Sequence, residues 1–139
     1  MRFESILLPL ATVAVGVDAL GINCRGSANC MLYGANVSKD MVNLLNGVDP
    51  NRWYNNGQQI ACVTRPSDAG AICAFFQNTG GWQGQKAKEL AHYITEHGCL
   101  ACGSVPTGFP GSNDVAQGEL TFNYVSNPCT GFSEGSRRC

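Results

Sequence analysis

The chain is short of charge, and its charges are balanced. Charged residues make up 14% of 139 residues, with nine Lys or Arg against ten Asp or Glu. Nucleic-acid-binding proteins need a concentrated positive footprint, which a chain without an excess of cations does not supply. The same balance excludes strong electrostatic attraction to acidic membranes. We therefore expect no nucleic-acid partner.

Long apolar runs are also scarce. The longest, Ile6 to Val17, has 12 residues, whereas crossing a bilayer takes roughly 20. Arg2 before this run and the small-residue pattern Val17-Asp18-Ala19 after it are typical of a cleaved secretory signal, and the run is too short for a membrane anchor. We predict a signal peptide over residues 1–19 and a secreted, extracellular single domain over residues 20–139.

Cysteine is abundant by contrast, with eight residues that all follow position 19. In an exported chain, disulfides are the expected state. The alternative is a four-sulfur zinc site at Cys24, Cys30, Cys99 and Cys102, but the first two are spaced too widely for common zinc knuckles. The last two also have thioredoxin-motif spacing, although such a motif opens a helix and this one follows a predicted helix. We predict disulfides, with no metal or cofactor.

Two stretches have the apolar spacing of an α-helix. The first stripe consists of Val37, Met41, Leu44, Leu45 and Val48. Asn36 or Ser38 is available as its N-cap. The second stripe consists of Ala87, Leu90, Ala91 and Ile94. Gly98 is placed to end that helix in a left-handed conformation.

Short runs rich in Ile, Val and Phe predict β-strands. These runs are Gln59–Thr64 and Ala71–Gln77. Glu119–Val125 is predicted as a strand because its apolar and polar residues alternate, and Leu100–Val105 is a further short strand candidate. Turn-forming residues separate the first two, so we predict a hairpin there. The element order predicts an α+β sandwich, in which an antiparallel sheet of about five strands carries two helices on one face. It also permits split β-α-β crossovers.

Three strings of residues resemble the secreted killer toxins of the killer protein 4 type, known from viruses of smut fungi and as fungal genes. The strings are LGINCRGS at Leu20–Ser27, HGCLACGS at His97–Ser104, and the segment Asn113–Val125. The likeness extends from Leu20 to Cys129 and is weakest over residues 31–58. It implies an α/β sandwich with two helices on an antiparallel sheet and left-handed split crossovers.

The resemblance also implies a disulfide pairing. It joins Cys24 to Cys99, Cys30 to Cys102, and Cys62 to Cys129, which leaves Cys73 and Cys139 to pair by elimination. The sequence alone does not choose, because eight cysteines allow about 100 connectivities.

In function, the resemblance implies a binding protein without enzymatic activity, expected to be monomeric. The resemblance implies that such a protein arrests susceptible fungi by acting on a membrane protein, which for the family is a voltage-gated calcium channel. Two positions depart from the family: Ile60 stands where the family has a functionally weighted lysine, and Gln117 where it has a basic residue. A channel mouth that selects cations needs a positive contact. The remaining candidates for target binding are Arg25, Arg65, Lys86 and Lys88.

Other residues leave alternatives open. Glu89, His92 and Glu96 share a predicted helix and suggest an acid-base or metal cluster, but a solvated face with local pairings is the favoured interpretation. The aromatic residues Trp53, Tyr54 and Trp82 suit a sugar- or protein-binding surface or the edge of the core, and we favour the core edge.

Two further motifs concern processing. Asn36-Val37-Ser38 is a candidate glycosylation site at Asn36. Arg137-Arg138 is a candidate processing site, although a disulfide to Cys139 would argue that the tail is kept.

Two functions from different classes remain. The first is a killer-toxin-like antifungal protein, which the whole-chain likeness favours. The second is a non-toxic secreted effector that acts at a host surface in virulence. The balanced charge and Ile60 favour the second.

Overall fold

The computed structural model describes residues 20–65, 70–129 and 135–139. Its helices are α1 (Val37–Leu45) and α2 (Gly84–Glu96). Its strands are β1 (Trp53–Tyr54), β2 (Ala61–Val63), β3 (Ala71–Gln77), β4 (Trp82–Gln83), β5 (Gly103–Pro106), β6 (Glu119–Val125) and β7 (Arg137–Arg138). Short 3-10 helices cover Ala28–Leu32 and Val115–Gln117. The predicted signal peptide, and residues 66–69 of the predicted hairpin turn, lie outside the described residues.

Five strands form one antiparallel sheet in the order β5-β6-β3-β2-β7. Strands β3 and β5 both pair antiparallel with β6, which lies between them. They are therefore parallel to each other, and the connection through α2 is a split β-α-β crossover. The predicted α+β class, the β2-β3 hairpin pairing and the split crossover are confirmed. The left-handed sense implied by the resemblance stays a prediction. Within the described ranges, no helix is long and apolar enough to cross a bilayer.

Both predicted helices bury their apolar stripes in one core. In α1, Val37, Met41 and Leu45 are wholly buried, and in α2 the stripe from Ala87 to Ile94 is at most 2% exposed. Both stripes share a hydrophobic cluster with large side chains of the sheet, among them Ile72, Phe76, Leu120 and Phe122. Gly98 adopts φ +95° and ends α2 as predicted.

Three strands have no counterpart in the sequence prediction, because each has two residues and no period can be read from so short a run. Strands β1 and β4 pair as a separate ribbon. Strand β7 adds an arginine pair to the β2 edge of the sheet. A backbone hydrogen bond from Cys139 to Ile60 holds it there. Tertiary contacts, and not local propensity, place β7 in the sheet.

Two of the predicted disulfides are confirmed. Cys24 bonds to Cys99 and Cys30 bonds to Cys102, across sequence separations of 75 and 72 residues. Both join the N-terminal segment to the loop that follows α2. The four sulfurs considered for zinc are therefore oxidised in two pairs.

The other two predicted pairings are wrong. Cys62 bonds to Cys73 instead of Cys129, and Cys129 bonds to Cys139. Cys62 and Cys73 are register partners on β2 and β3, so their Cα atoms are only 4.1 Å apart. The Cys129 sulfur nevertheless lies 3.8 Å from the Cys62 sulfur, and the Cys139 sulfur lies 4.0 Å from it. The resemblance and the pairing by elimination left the correct four cysteines together but exchanged their partners.

The two types of bridge should differ in their contribution to stability. In the chain-entropy treatment, a bridge that closes a loop of about 75 residues stabilises by about 4.5 kcal/mol, and one that closes about 10 residues by about 2.7 kcal/mol. We expect the Cys24→Ala/Cys99→Ala double variant to lose more free energy of unfolding in urea than Cys129→Ala/Cys139→Ala. Equal losses, or the reverse order, would contradict this account of the scaffold.

Candidate target-binding surface

The N-terminal segment adds to the open edge of β5. Asn23 and Ser104 exchange two backbone hydrogen bonds, of 3.0 and 2.9 Å. Nearby, the Oδ1 of Asn113 accepts a hydrogen bond from the backbone N–H of Ile22 at 2.8 Å. The three strings that carried the resemblance therefore meet in space at this edge.

Asn123 on β6 holds the next part of the segment. Its Oδ1 accepts the backbone N–H of Ser27 at 2.9 Å. Gly26 lies between these contacts and the second disulfide. A Cβ on Gly26 would lie 2.7 Å from the Cys102 Cβ and 2.8 Å from the Cys30 sulfur, so a side chain does not fit here.

Two of the four candidate cations already have partners. Arg65 lies 3.0 Å from the Asp40 carboxylate and also donates to the Thr64 carbonyl. Lys88 donates from Nζ to the Val48 carbonyl at 3.1 Å, which ties α2 to the segment after α1. For either cation, binding a target would require giving up an existing contact.

Lys86 is engaged as well, whereas Arg25 is not. Lys86 lies 3.5 Å from the Glu89 carboxylate and 4.7 Å from the centre of the Trp82 ring. Arg25 is exposed, and its guanidinium has no partner among the described residues. Arg25 is thus the candidate that is both exposed and unpaired.

The two positions that depart from the family do not supply a cation. Ile60 is wholly buried, and its backbone pairs with Ala74 on one side and Cys139 on the other. Gln117 is exposed at the end of a 3-10 helix. A side chain at position 60 faces the core in this chain and cannot meet a target.

An open groove of about 590 Å³ lies between the first 3-10 helix and the loop after α2. Its ten lining residues are all Cys, Met, Gly, Ala or Leu, and both long-range disulfides contribute to them. Met31 and Leu100 line it while remaining 87% and 61% exposed. Sequence reasoning missed this groove, because its walls are about 70 residues apart in the chain and only the disulfides bring them together.

The aromatic residues divide between core and surface. Tyr54 is 2% exposed, as the core-edge interpretation expects, but Trp53 is 53% and Trp82 37% exposed. Tyr54 stands opposite Trp82 in the ribbon, and Trp53 stands opposite Gln83. Since successive strand residues point to opposite faces, the two tryptophans do not form one platform.

The acidic and histidine residues of α2 form local pairs, as predicted. His92 Nδ1 lies 2.6 Å from Glu96 Oε2. Glu89 instead contacts Gln85 and Lys86, so the three-residue cluster does not form. Within the described ranges, three potential metal-ligating side chains lie close together: those of Cys62, Cys129 and Cys139. Their sulfurs are all bonded in disulfides.

The candidate glycosylation site lies where α1 begins. Asn36 is exposed, and its side chain makes no capping bond. Ser38 is buried, and its hydroxyl donates to the Cys99 carbonyl at 2.7 Å. The sequon serine therefore has a structural role, and glycosylation of Asn36 stays a prediction.

These features define a class: small α+β sandwich proteins whose surface loops are fixed by disulfides. The sequence model of the Kp4 family matches residues 7–126, and the chain belongs to that family. It is 34% identical over 126 residues to the KP4 killer toxin of Ustilago maydis P4 virus. The alignment covers 90% of this chain and 91% of that protein. The family match ends before Cys129, so the corrected Cys129–Cys139 bridge lies beyond it.

The close packing at Gly26 generates a test of the N-terminal clamp. Gly26→Ala should destabilise by about 1–3 kcal/mol, because overpacking forces the disulfide and Asn123 to shift. Gly111→Ala is the control, since its added Cβ would meet an ordinary contact at 3.5 Å. Urea unfolding measures both variants. If Gly26→Ala is as stable as Gly111→Ala, the segment does not pack as described.

Proposed function

We propose that the chain is a secreted, killer-toxin-like antifungal protein that binds a membrane target of susceptible cells. The observation that carries this proposal is the 34% identity to a viral killer toxin across 90% of the chain. Four disulfides support action outside the cell, because such bonds persist in oxidising surroundings.

Arg25 supplies the principal positive contact in this proposal. Its segment is fixed by the disulfides of Cys24 and Cys30 on either side. Because this backbone segment is already fixed, binding has to order only the Arg25 side chain. Arg65, Lys86 and Lys88 would first have to leave their present partners.

The proposed target is a voltage-gated calcium channel, the target that the family resemblance implies. An acidic channel mouth attracts cations. Because Ile60 is buried in this chain, the contact of the family lysine is replaced by one from Arg25. Block then needs only binding at the mouth, with no bond made or broken.

A non-toxic effector at a host surface is the second candidate. The balanced charge of the chain and the buried Ile60 favour it, because both remove positive potential that a channel blocker would use. The fold is the same in both cases, so activity must decide between them.

Growth inhibition is the direct test of the first candidate. The purified, oxidised protein should inhibit at least one fungus from a panel, and added calcium should relieve the inhibition if channel block is the mechanism. Inhibition that calcium does not relieve would leave the antifungal function standing and refute the channel. Failure to inhibit any fungus, together with specific binding to plant surfaces, would establish the effector.

A charge variant tests the role of Arg25. Arg25→Gln should lower inhibitory potency at least about tenfold, as expected for an arginine at the centre of an interface. Lys39→Gln is the matched control, because Lys39 is also exposed and has no side-chain partner within the described ranges. Thermal melting should be unchanged for both variants. Equal potency of the two variants would remove Arg25 from the binding surface.

A further inference from the structure

Three large apolar side chains are exposed in the segments that line the groove or directly next to them. The 3-10 helix Ala28–Leu32 contains no buried residue. Met31 is 87%, Leu32 69% and Leu100 61% exposed, and these are three of the five large hydrophobic residues exposed in the described parts of the chain. Clusters of this kind mark interaction surfaces. We call Met31, Leu32 and Leu100 the apolar tip.

The side chains that line the groove beside the apolar tip have almost no hydrogen-bonding capacity. None of its ten lining residues has a free polar group in its side chain, because the cysteines are oxidised. Two of its backbone carbonyls are already used: Cys99 accepts from the Ser38 hydroxyl and Leu100 accepts from the Ser38 N–H. The side chains of this surface therefore offer mainly hydrocarbon and sulfur contacts.

This chemistry fits lipid better than protein. A protein interface carries about one hydrogen bond per 100–200 Å² of buried area. Its energetic centres are mostly Trp, Tyr and Arg held in pockets, and Leu is under-represented there. Here two of the three large apolar residues are Leu, none is aromatic, and all three project into solvent.

The charges near the groove favour a phosphate. Among residues directly next to its lining segments in the chain, Arg25 carries a positive charge and none is acidic. Arg25 has no side-chain partner within the described parts, and a guanidinium suits phosphate oxygens. Lipid phosphates lie just above the depth that apolar side chains reach in a bilayer.

We propose that the apolar tip inserts into the headgroup–acyl boundary of a phospholipid membrane, with Arg25 on a lipid phosphate until the protein meets its target. This rests on the proposed function and deepens it, since it names the surface that brings the protein to its membrane target. Residence on the membrane raises the local concentration of the protein near that target. Because the chain as a whole is nearly neutral, apolar insertion supplies most of the affinity and Arg25 adds a smaller, lipid-dependent part.

Vesicle co-sedimentation tests the proposal without any target protein. The purified, oxidised protein is mixed with vesicles of phosphatidylcholine alone, or of phosphatidylcholine with phosphatidylserine. Wild type should bind both and bind the second better. Met31→Ser/Leu100→Ser should reduce binding at least about tenfold, since two large apolar groups no longer leave water. Thermal melting should be unchanged, because both side chains are exposed.

Matched variants separate apolar insertion from general stickiness. Trp53→Ser removes a comparably exposed apolar side chain elsewhere and should bind like wild type. Arg25→Gln should lose most of the gain from phosphatidylserine, whereas Lys39→Gln should keep it. Each protein is also prepared with Asn36→Gln, so that a glycan next to Ala35 of the groove does not block it.

Several outcomes would overturn the proposal. Wild type that stays in the supernatant with both vesicles refutes it, as does a Met31→Ser/Leu100→Ser variant that binds normally. If Met31→Ser/Leu100→Ser loses fungal inhibition while neither it nor wild type binds vesicles, the groove binds a protein instead of lipid. Vesicle binding by a protein that inhibits no fungus supports membrane docking and refutes the killer function, so the two proposals fail separately.

Discussion

The two long-range disulfides are the constraint on which the candidate surface depends. The segment from Leu20 to Leu32 buries no side chain fully, so hydrophobic packing alone does not hold it. The Cys24–Cys99 and Cys30–Cys102 bonds attach it to the loop after α2, and its backbone donates hydrogen bonds to the side-chain oxygens of Asn113 and Asn123. The groove, the apolar tip and the free guanidinium of Arg25 all lie on or beside this attachment. The two disulfides therefore hold the apolar side chains of the tip in solvent, although the hydrophobic effect alone would favour burying them.

The elements that could be predicted from sequence are those with a long, regular pattern. The stripes of α1 and α2 and the alternation of β6 each extend over seven or more residues, and the structure contains all three. Strand β5 begins at Gly103, three residues later than predicted, because the preceding residues form the disulfide loop. The ribbon of β1 and β4 and the strand β7 have two residues each. Their pairing depends on distant partners, which local patterns do not reveal.

The candidate surface was harder to predict than the fold. Four cations were candidates in sequence, with Arg25 and Arg65 favoured over Lys86 and Lys88. Tertiary contacts distinguish Arg25 from the other three. The wrong pairing of Cys62 has the same origin, since four sulfurs within a few ångströms allow more than one connectivity. One local signal for the apolar tip was present in the sequence. Met31 and Leu32 are large apolar residues that directly follow Cys30 and belong to neither helical stripe. The resemblance identified the three strings that meet in the structure, but it did not show which of their side chains are exposed.

Disulfide mapping of the purified, unreduced protein tests the central claim most directly. Proteolysis without reduction cuts after Arg25 and separates Cys24 from Cys30, and tandem mass spectrometry then assigns each partner within Cys99-Leu100-Ala101-Cys102. The account predicts linked peptides that join Cys24 to Cys99 and Cys30 to Cys102. A bond between Cys24 and Cys30, a bond between Cys99 and Cys102, or free thiols at these positions would contradict it.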